Sequence, residues 1–436
     1  MKLIKETGQG SMSPQLKKFL SSLEKRASFN SGTSKVRAVV ERIINDVRKN
    51  GDKAVRKYTE RFDSVKIKSL SISKKEIYAS AKKAGKEFLS ALNISAKRIK
   101  TYHELQKDGS WYFSEKGGNI LGCLIMPIER VGVYVPGGKA LYPSTVLMNV
   151  IPAQVAGVKD IALCMPFSGR IDPQVAAAIK LLGIKEVYRI GGAQAIAAMA
   201  YGTRTIKKVD KIVGPGNIYV ATAKKIVFGD VGIDMIAGPS EVLIIADSTA
   251  DPSFIAADLL AQAEHDELAL SVLVTNSESL AKKTAKELSL QLKGLKRKGI
   301  AKKSIDKYGA IIVTKSLNAA IDLSNRIAPE HLELMTKTPP KLLKKIKHAG
   351  AIFMGEWSPV TIGDYAAGPN HTLPTAGTAR FSSPLGIHDF IKRSSVVHFN
   401  QQGFMGIAKA VETFADLEGL EAHANTIRIR SKAARS

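Results

Sequence analysis

Apolar residues follow two different rhythms along this chain, and the change between them divides it. From Ser34 through Tyr58, Val36, Val39, Val40, Ile43, Ile44 and Val47 recur at helical spacing. From about Ser73 to Leu105, Ile77, Ala81, Ala84, Phe88 and Leu92 share one helical face. Between residues 131 and 246, short β-branched runs alternate with alanine-rich stretches, the pattern of βαβ units on a parallel sheet. Val131–Val135, Asp160–Met165, Glu186–Ile190, Lys211–Val213 and Val242–Ala246 are predicted strands, with helices over Ser144–Ala156, Pro173–Leu182 and Gln194–Tyr201. Leu270–Thr275, Ala310–Thr314 and Ala351–Met354 continue the strand pattern between lysine-rich helices. The whole reads as two α/β layers, with a helical, basic tail from about residue 386.

Length and composition narrow this picture. At 436 residues the chain exceeds what one hydrophobic core usually serves, so two or more domains are expected. No uninterrupted apolar run approaches the roughly 20 residues needed to cross a bilayer. The opening Met1-Lys2-Leu3-Ile4-Lys5-Glu6 lacks the apolar segment of a secretory signal. Two lone cysteines, Cys123 and Cys164, lie in apolar runs that read as core; they make no disulfide framework and point to a reducing, cytoplasmic setting. Basic side chains number 65 against 39 acidic ones, a formal charge of +26. Such a surface attracts anionic ligands or nucleic acid. The lysines, however, are spread along amphipathic helices (82–100, 293–307 and 337–347) without interleaved aromatics, which favours solvated helix faces over a nucleic-acid groove.

Candidate chemistry gathers after the strands. Four runs pass straight into glycine turns: Pro136-Gly137-Gly138, Gly191-Gly192-Ala193-Gln194, Gly214-Pro215-Gly216-Asn217 and Gly238-Pro239-Ser240-Glu241. Ligands of open parallel sheets bind outside the carboxyl ends of strands, where glycine admits close approach. None of the turns matches G-x-G-x-x-G, so the usual dinucleotide fingerprint is absent. Asp251-Pro252 opens a helix, and Gln262 and His265, three apart, are expected on one face of it. Asp364 follows a Gly363 turn, and His423 sits in the C-terminal helical region. Gln262, His265, Asp364 and His423 offer nitrogen and oxygen donors suited to a divalent transition metal. Spacing alone does not establish such a site, and His265 by itself reads as readily as a helix-surface histidine. Glu330-His331, behind Pro329, is a sharper local signal, because an adjacent carboxylate and imidazole can place a base and a proton shuttle at one substrate. An incidental surface pair is the competing reading.

Taken in order, these strings resemble the histidinol dehydrogenase family. They are Val133-Tyr134-Val135-Pro136-Gly137-Gly138, Gly191-Gly192-Ala193-Gln194-Ala195-Ile196, Lys211 through Asn217, Ala237 through Val242, Leu260 through His265 and Ala328 through Leu332. The most specific is Gly363-Asp364-Tyr365 with Gly368-Pro369-Asn370-His371-Thr372-Leu373-Pro374-Thr375, followed by Asp389-Phe390 and Lys392-Arg393. The resemblance runs from about residue 30 to 430. It implies an α/β fold of two Rossmann-like parallel-sheet domains with small N-terminal and C-terminal helical appendages. The boundaries it suggests are an arm over 1–25, a discontinuous domain of 26–132 with 241–385 carrying zinc and catalytic residues, an NAD-contacting domain over 133–240, and a dimer-exchange segment over 386–436.

The same resemblance assigns roles. Glu330 and His331 match a catalytic pair. Gln262, His265, Asp364 and His423 match zinc ligands, with His423 and Glu418 supplied across the interface of an intertwined homodimer. Ser240, His331 and Glu418, with the metal ligands, match residues that hold L-histidinol. Tyr134, Gln194 and Asn217 match NAD contacts. The implied reaction is NAD-dependent oxidation of L-histidinol through L-histidinal to L-histidine, with no cysteine nucleophile and no membrane. A zinc hydrolase using Glu330 as general base is the alternative; the absence of His-Glu-x-x-His weighs against it. A binding protein built around its basic surface is a second. The charge of +26 is no mark of the family, and His388 receives no role.

Overall fold

The computed structural model describes residues 1–6, 12–29, 34–115, 117–137, 142–167 and 169–436. Residues 7–11 of the expected N-terminal arm and the Gly138 end of the first glycine turn lie outside them. The first helical pattern is two helices, Ser34–Asn50 and Asp52–Asp63, because Gly51 between them takes a φ of 51°, which favours glycine. The second divides likewise, into Lys74–Ala81 and Lys86–Glu104. Strands in chain order are β1 (Lys2–Lys5), β2 (Trp111–Ser114), β3 (Ile120–Pro127), β4 (Arg130–Tyr134), β5 (Asp160–Cys164), β6 (Glu186–Tyr188) and β7 (Lys211–Val213). They continue with β8 (Gly232–Ile233), β9 (Glu241–Ala246), β10 (Leu270–Thr275), β11 (Ala310–Val313), β12 (His331–Met335), β13 (Ala351–Met354) and β14 (Ile391–His398).

The chain forms two compact units. The larger, Met1–Gln106 with Ile128–Phe390, holds two parallel sheets of order β6-β5-β4-β7-β8 and β1-β11-β10-β9-β12-β13. Every residue of β4, β9 and β10 is buried, as strands covered by helices on both faces must be, and this is why they read as mostly apolar runs without a polar alternation. The N-terminus is no free arm where it is described: Leu3 and Ile4 pair with Ile311 and Ile312, making β1 the sheet edge. Helix Pro14–Phe29 then packs Leu16, Phe19 and Leu20 into that sheet's core.

The smaller unit, Lys107–Pro127 with Ile391–Ser436, carries an antiparallel sheet of order β14-β3-β2 and the helices Gln401–Leu417 and Glu421–Ala433. The tail was expected to be helical throughout, yet it opens with β14. That strand is mostly exposed and polar, so no apolar rhythm marks it; pairing along its whole length with the distant β3 holds it. Cys123 lies half-buried on β3 rather than in a core, whereas Cys164 is buried. Among the described residues no helix is long and apolar enough to cross a membrane.

Candidate active site

The site is organised by a pairing between strands remote in sequence. β12 lies beside β9, with His331 in register with Val242, which sets Glu330 level with Glu241. The backbone N–H of Glu241 donates to Glu330 Oε2 at 2.8 Å, and the Glu330 N–H returns towards Glu241 Oε2 at 3.4 Å. His331 Nδ1 donates to the Glu241 carbonyl at 2.8 Å. That bond places the proton on Nδ1 and leaves Nε2 with a free lone pair, buried and without a hydrogen-bond partner. The same nitrogen lies 3.9 Å from Asp364 Oδ1. Burial lowers the His331 pKa to about 4, so the ring is neutral near pH 7. Burial also raises Glu330 well above the ordinary carboxyl range, and the Glu241 charge adds to the effect.

Glu241 is itself balanced by a residue the sequence did not single out. Arg26, on the N-terminal helix, forms a buried ion pair with Glu241 and donates to the carbonyls of Leu268, Pro239 and Ser240 at 2.7, 2.8 and 3.1 Å. The available signal was a charged residue opening the apolar run Glu-Val-Leu-Ile-Ile-Ala, since a carboxylate buried on a parallel strand needs a partner.

Two of the expected ligands arrive by routes other than those expected. The helix begins at Pro252, with Asp251 capping Ser253 N–H at 2.7 Å, but it ends at Ala263. His265 therefore lies beyond the helix, held near Gln262 by a tight turn in which its N–H donates to the Gln262 carbonyl at 3.2 Å. Asp364 sits inside the short helix Val360–Tyr365 rather than after a turn, and Gly363 beside it lets the helix close on Phe353, whose ring a Cβ would meet at 2.6 Å. Burial raises Asp364 to about 7, with no cation beside it. Gln262 is buried and its Nε2 has no partner.

His371, unassigned in the sequence, joins this group. Its Nδ1 donates to the Asp364 carbonyl at 3.0 Å, and burial lowers its pKa to about 4. His265 is near enough to act electrostatically on both His331 and His371. A cavity of about 720 Å³ adjoins His331, Asp364 and His371 and extends to Gln106 and Asp389. Among the described residues no three His, Cys, Asp or Glu side chains assemble into a metal cage. The uncompensated Asp364 carboxyl, with the His265 imidazole and the amide oxygen of Gln262 as further donor types, nonetheless fits an incoming cation that finds a further ligand elsewhere.

The remaining predicted residues divide into three groups. Tyr134 is buried, and its hydroxyl accepts the Gly192 N–H at 3.0 Å. Gln194 is buried, and among the described residues neither of its amide atoms has a partner, a cost of about 1–3 kcal/mol that a bound ligand would relieve. Asn217 caps helix Ile218–Val227 with Oδ1, leaving only its NH₂ group free. Ser240 is half-buried beside Glu241. Glu418 and His423 belong to the smaller unit, where both are exposed.

A second carboxyl pair underlies the site. Glu333, two residues beyond His331 on β12, is buried; its Oε1 accepts the Val360 N–H at 2.9 Å and its side chain meets Asp258. Among the described residues Glu333 Oε2 finds no donor, and the contact with Asp258 is one in which the two carboxyls share a proton. Burial pushes Asp258 up to about 6 and Glu333 well above its ordinary value. This one contact joins the helix of Gln262, the strand of His331 and the helix of Asp364.

A five-stranded parallel sheet with glycine turns at the carboxyl ends of β4, β6 and β7, and a buried glutamate–histidine centre at the amino ends of β9 and β12 in a second parallel sheet, define an α/β enzyme of acid–base chemistry. The family model for histidinol dehydrogenase matches residues 26–431. Histidinol dehydrogenase of Bacillus subtilis is 52% identical over 412 residues, covering 94% of this chain and 96% of that one. That of Geobacter sulfurreducens is 51% identical over 401 residues, 91% and 94% of the two chains. The crystal structure of histidinol dehydrogenase from Elizabethkingia anophelis superposes with a TM-score of 0.92 at 38% identity, covering 100% of this chain and 99% of that one. The chain belongs to the histidinol dehydrogenase family, a family of oxidoreductases.

The Asp258–Glu333 pair has a pH signature. Both groups hold their protons more tightly folded than unfolded, so folding is penalised progressively as pH rises above about 4, while at lower pH both states keep their protons and the penalty vanishes. Glu333→Gln keeps the hydrogen bonds without the charge. Urea titrations should show it more stable than the wild type at pH 8, by on the order of 1 kcal/mol, and equal to it near pH 4. A gain that grew towards acid would refute the shared proton.

Proposed function

We propose that this enzyme oxidises L-histidinol through L-histidinal to L-histidine, the last step of histidine biosynthesis, at the centre formed by Glu330 and His331. Family membership supports the reaction, and one observation supports the centre: His331 Nε2 is left as an unpartnered base by the bond that fixes Nδ1. His331 takes the hydroxyl proton at Nε2 in each oxidation. Glu330, whose raised pKa makes it a stronger proton acceptor, deprotonates the water that hydrates the aldehyde. NAD would supply the hydride acceptor for both oxidations, and Tyr134, Gln194 and Asn217 would hold it, with Gln194's unsatisfied amide in favour. Zinc, when bound, serves as a Lewis-acidic template that orients the amino alcohol. Gln262, His265 and Asp364 would hold it together with His423 of a second subunit.

The rest of the reading follows from these assignments. Ser240, His331 and Glu418 complete the substrate contacts. The segment 133–240 serves the dinucleotide, and 26–132 with 241–385 serves metal and substrate. A homodimer is favoured by the apolar surface of the smaller unit, where Trp111, Phe113, Phe414 and Leu417 are all exposed. No thiolate takes part: Cys164 is buried and burial pushes its thiol far up. Free cysteines fit a cytoplasmic setting.

The primary experiment follows NADH formation from L-histidinol before chelation, after it, and after zinc is restored. Loss on chelation and recovery with zinc are expected; no NADH from zinc-replete protein would overturn the reaction and favour a zinc hydrolase. In Glu330→Gln, oxidation started from L-histidinal should fall by roughly 10²–10⁴-fold, while oxidation of L-histidinol to the aldehyde is spared by comparison. Equal losses would remove Glu330 from the hydration step. His423→Asn should lower the zinc content at a fixed free-zinc concentration while the dimer elutes unchanged; full zinc occupancy would exclude His423 as a ligand.

A further inference from the structure

Below the glycine turns lies an ion pair to which the proposed reaction assigns no step, one member of which, Asp234, also borders the cavity beside His331. Lys224, on helix Ile218–Val227, and Asp234, just after β8, are both almost wholly buried and paired to each other. Every polar end of the pair is engaged. Lys224 Nζ donates to the Gly214 carbonyl at 2.9 Å as well as to Asp234 Oδ1. Asp234 Oδ2 accepts the Gly214 N–H at 2.8 Å, and Oδ1 accepts the Met235 N–H at 2.6 Å. Gly214 is thus gripped through both its N–H and its C=O by two opposite charges.

Stability alone does not account for such an arrangement. Desolvating an ammonium and a carboxylate costs several kcal/mol, and a buried pair is often matched or bettered by apolar side chains of similar volume. What the pair secures is geometry. Gly214 has a φ of 112°, and a Cβ there would collide with the Tyr134 carbonyl oxygen, so this residue is pressed against the end of β4. Three residues on, Asn217 caps the helix that carries Lys224. Tyr134 in turn holds the Gly191-Gly192 turn through its hydroxyl, two residues before Gln194. One grip on Gly214 therefore locks the relative position of the turns bearing Tyr134, Gln194 and Asn217.

We propose that Lys224 and Asp234 are positioning residues for the dinucleotide, fixing through Gly214 the turns that contact it where a phosphate-binding glycine fingerprint is lacking. The inference rests on the reading that NAD binds at these turns. Its test uses the zinc-loaded, full-length enzyme and NADH binding followed by nicotinamide fluorescence. Lys224→Met combined with Asp234→Leu replaces the pair by apolar groups. It should weaken NADH binding by about tenfold or more while the KM for L-histidinol stays within about twofold. Zinc content and cooperative unfolding should be retained, which a merely structural role would not separate from cofactor affinity.

Gln194→Ala serves as the control for the site itself. Weakened NADH binding in both variants bears the proposal out. Weakened binding in Gln194→Ala with wild-type binding in the folded double variant overturns the positioning role and leaves the cofactor reading standing. Unchanged binding in both overturns the cofactor reading and the positioning role with it. If the double variant does not fold, Lys224→Arg carries the same comparison, because it keeps the buried charge but displaces the donor from the Gly214 carbonyl.

Discussion

The lateral pairing of β12 with β9 is the constraint on which the site depends. Parallel strands have evenly spaced ladders, so a register of His331 against Val242 sets both Glu330 and His331 against Glu241. From that follow the hydrogen bond that fixes the imidazole tautomer, the one that anchors the Glu330 carboxyl, and the need for a cation to balance Glu241. Arg26 answers that need from an N-terminal helix, which ties the beginning of the chain to the chemistry near its three-hundred-and-thirtieth residue. A slip of one residue would send each of these side chains to the opposite face.

Polar satisfaction separates scaffold from site. Arg130 with Glu186, Arg189 with Glu76, Lys224 with Asp234 and Arg26 with Glu241 are paired, as charges inside or near a core must be. Among the described residues, Gln194, Gln262 and His331 each bury a polar atom without a partner, and Asp364 is a carboxyl group with no cation beside it. Such groups cost stability within the chain by itself and suit a ligand that supplies what they lack. Gln194 follows the carboxyl end of β6, whereas Gln262, His331 and Asp364 gather at the amino ends of β9 and β12. The +26 charge has no comparable explanation in the structure.

The sequence by itself was enough for the buried strands of the parallel sheets and for the glycine turns beside them. β7, β10 and β13 occupy the residues that the short β-branched or apolar runs predict, whether the strand is buried throughout, as β10 is, or lies at the half-exposed sheet edge, as β13 does. The Glu330-His331 pair was visible because adjacency needs no folding to be seen. Beyond that, local signals ran out. β1 and β14 are held by partners far along the chain, and β12 carries glutamate within an apolar run, so period alone could not assign them. Spacing puts His265 on the helix of Gln262, but the helix ends at Ala263. Only the tertiary structure decided that Arg26 balances Glu241, that His371 joins Asp364, that Asp258 and Glu333 share a proton, and that Lys224 and Asp234 hold Gly214. Each of these is a contact between elements, and its energy depends on burial and register, which no stretch of sequence contains.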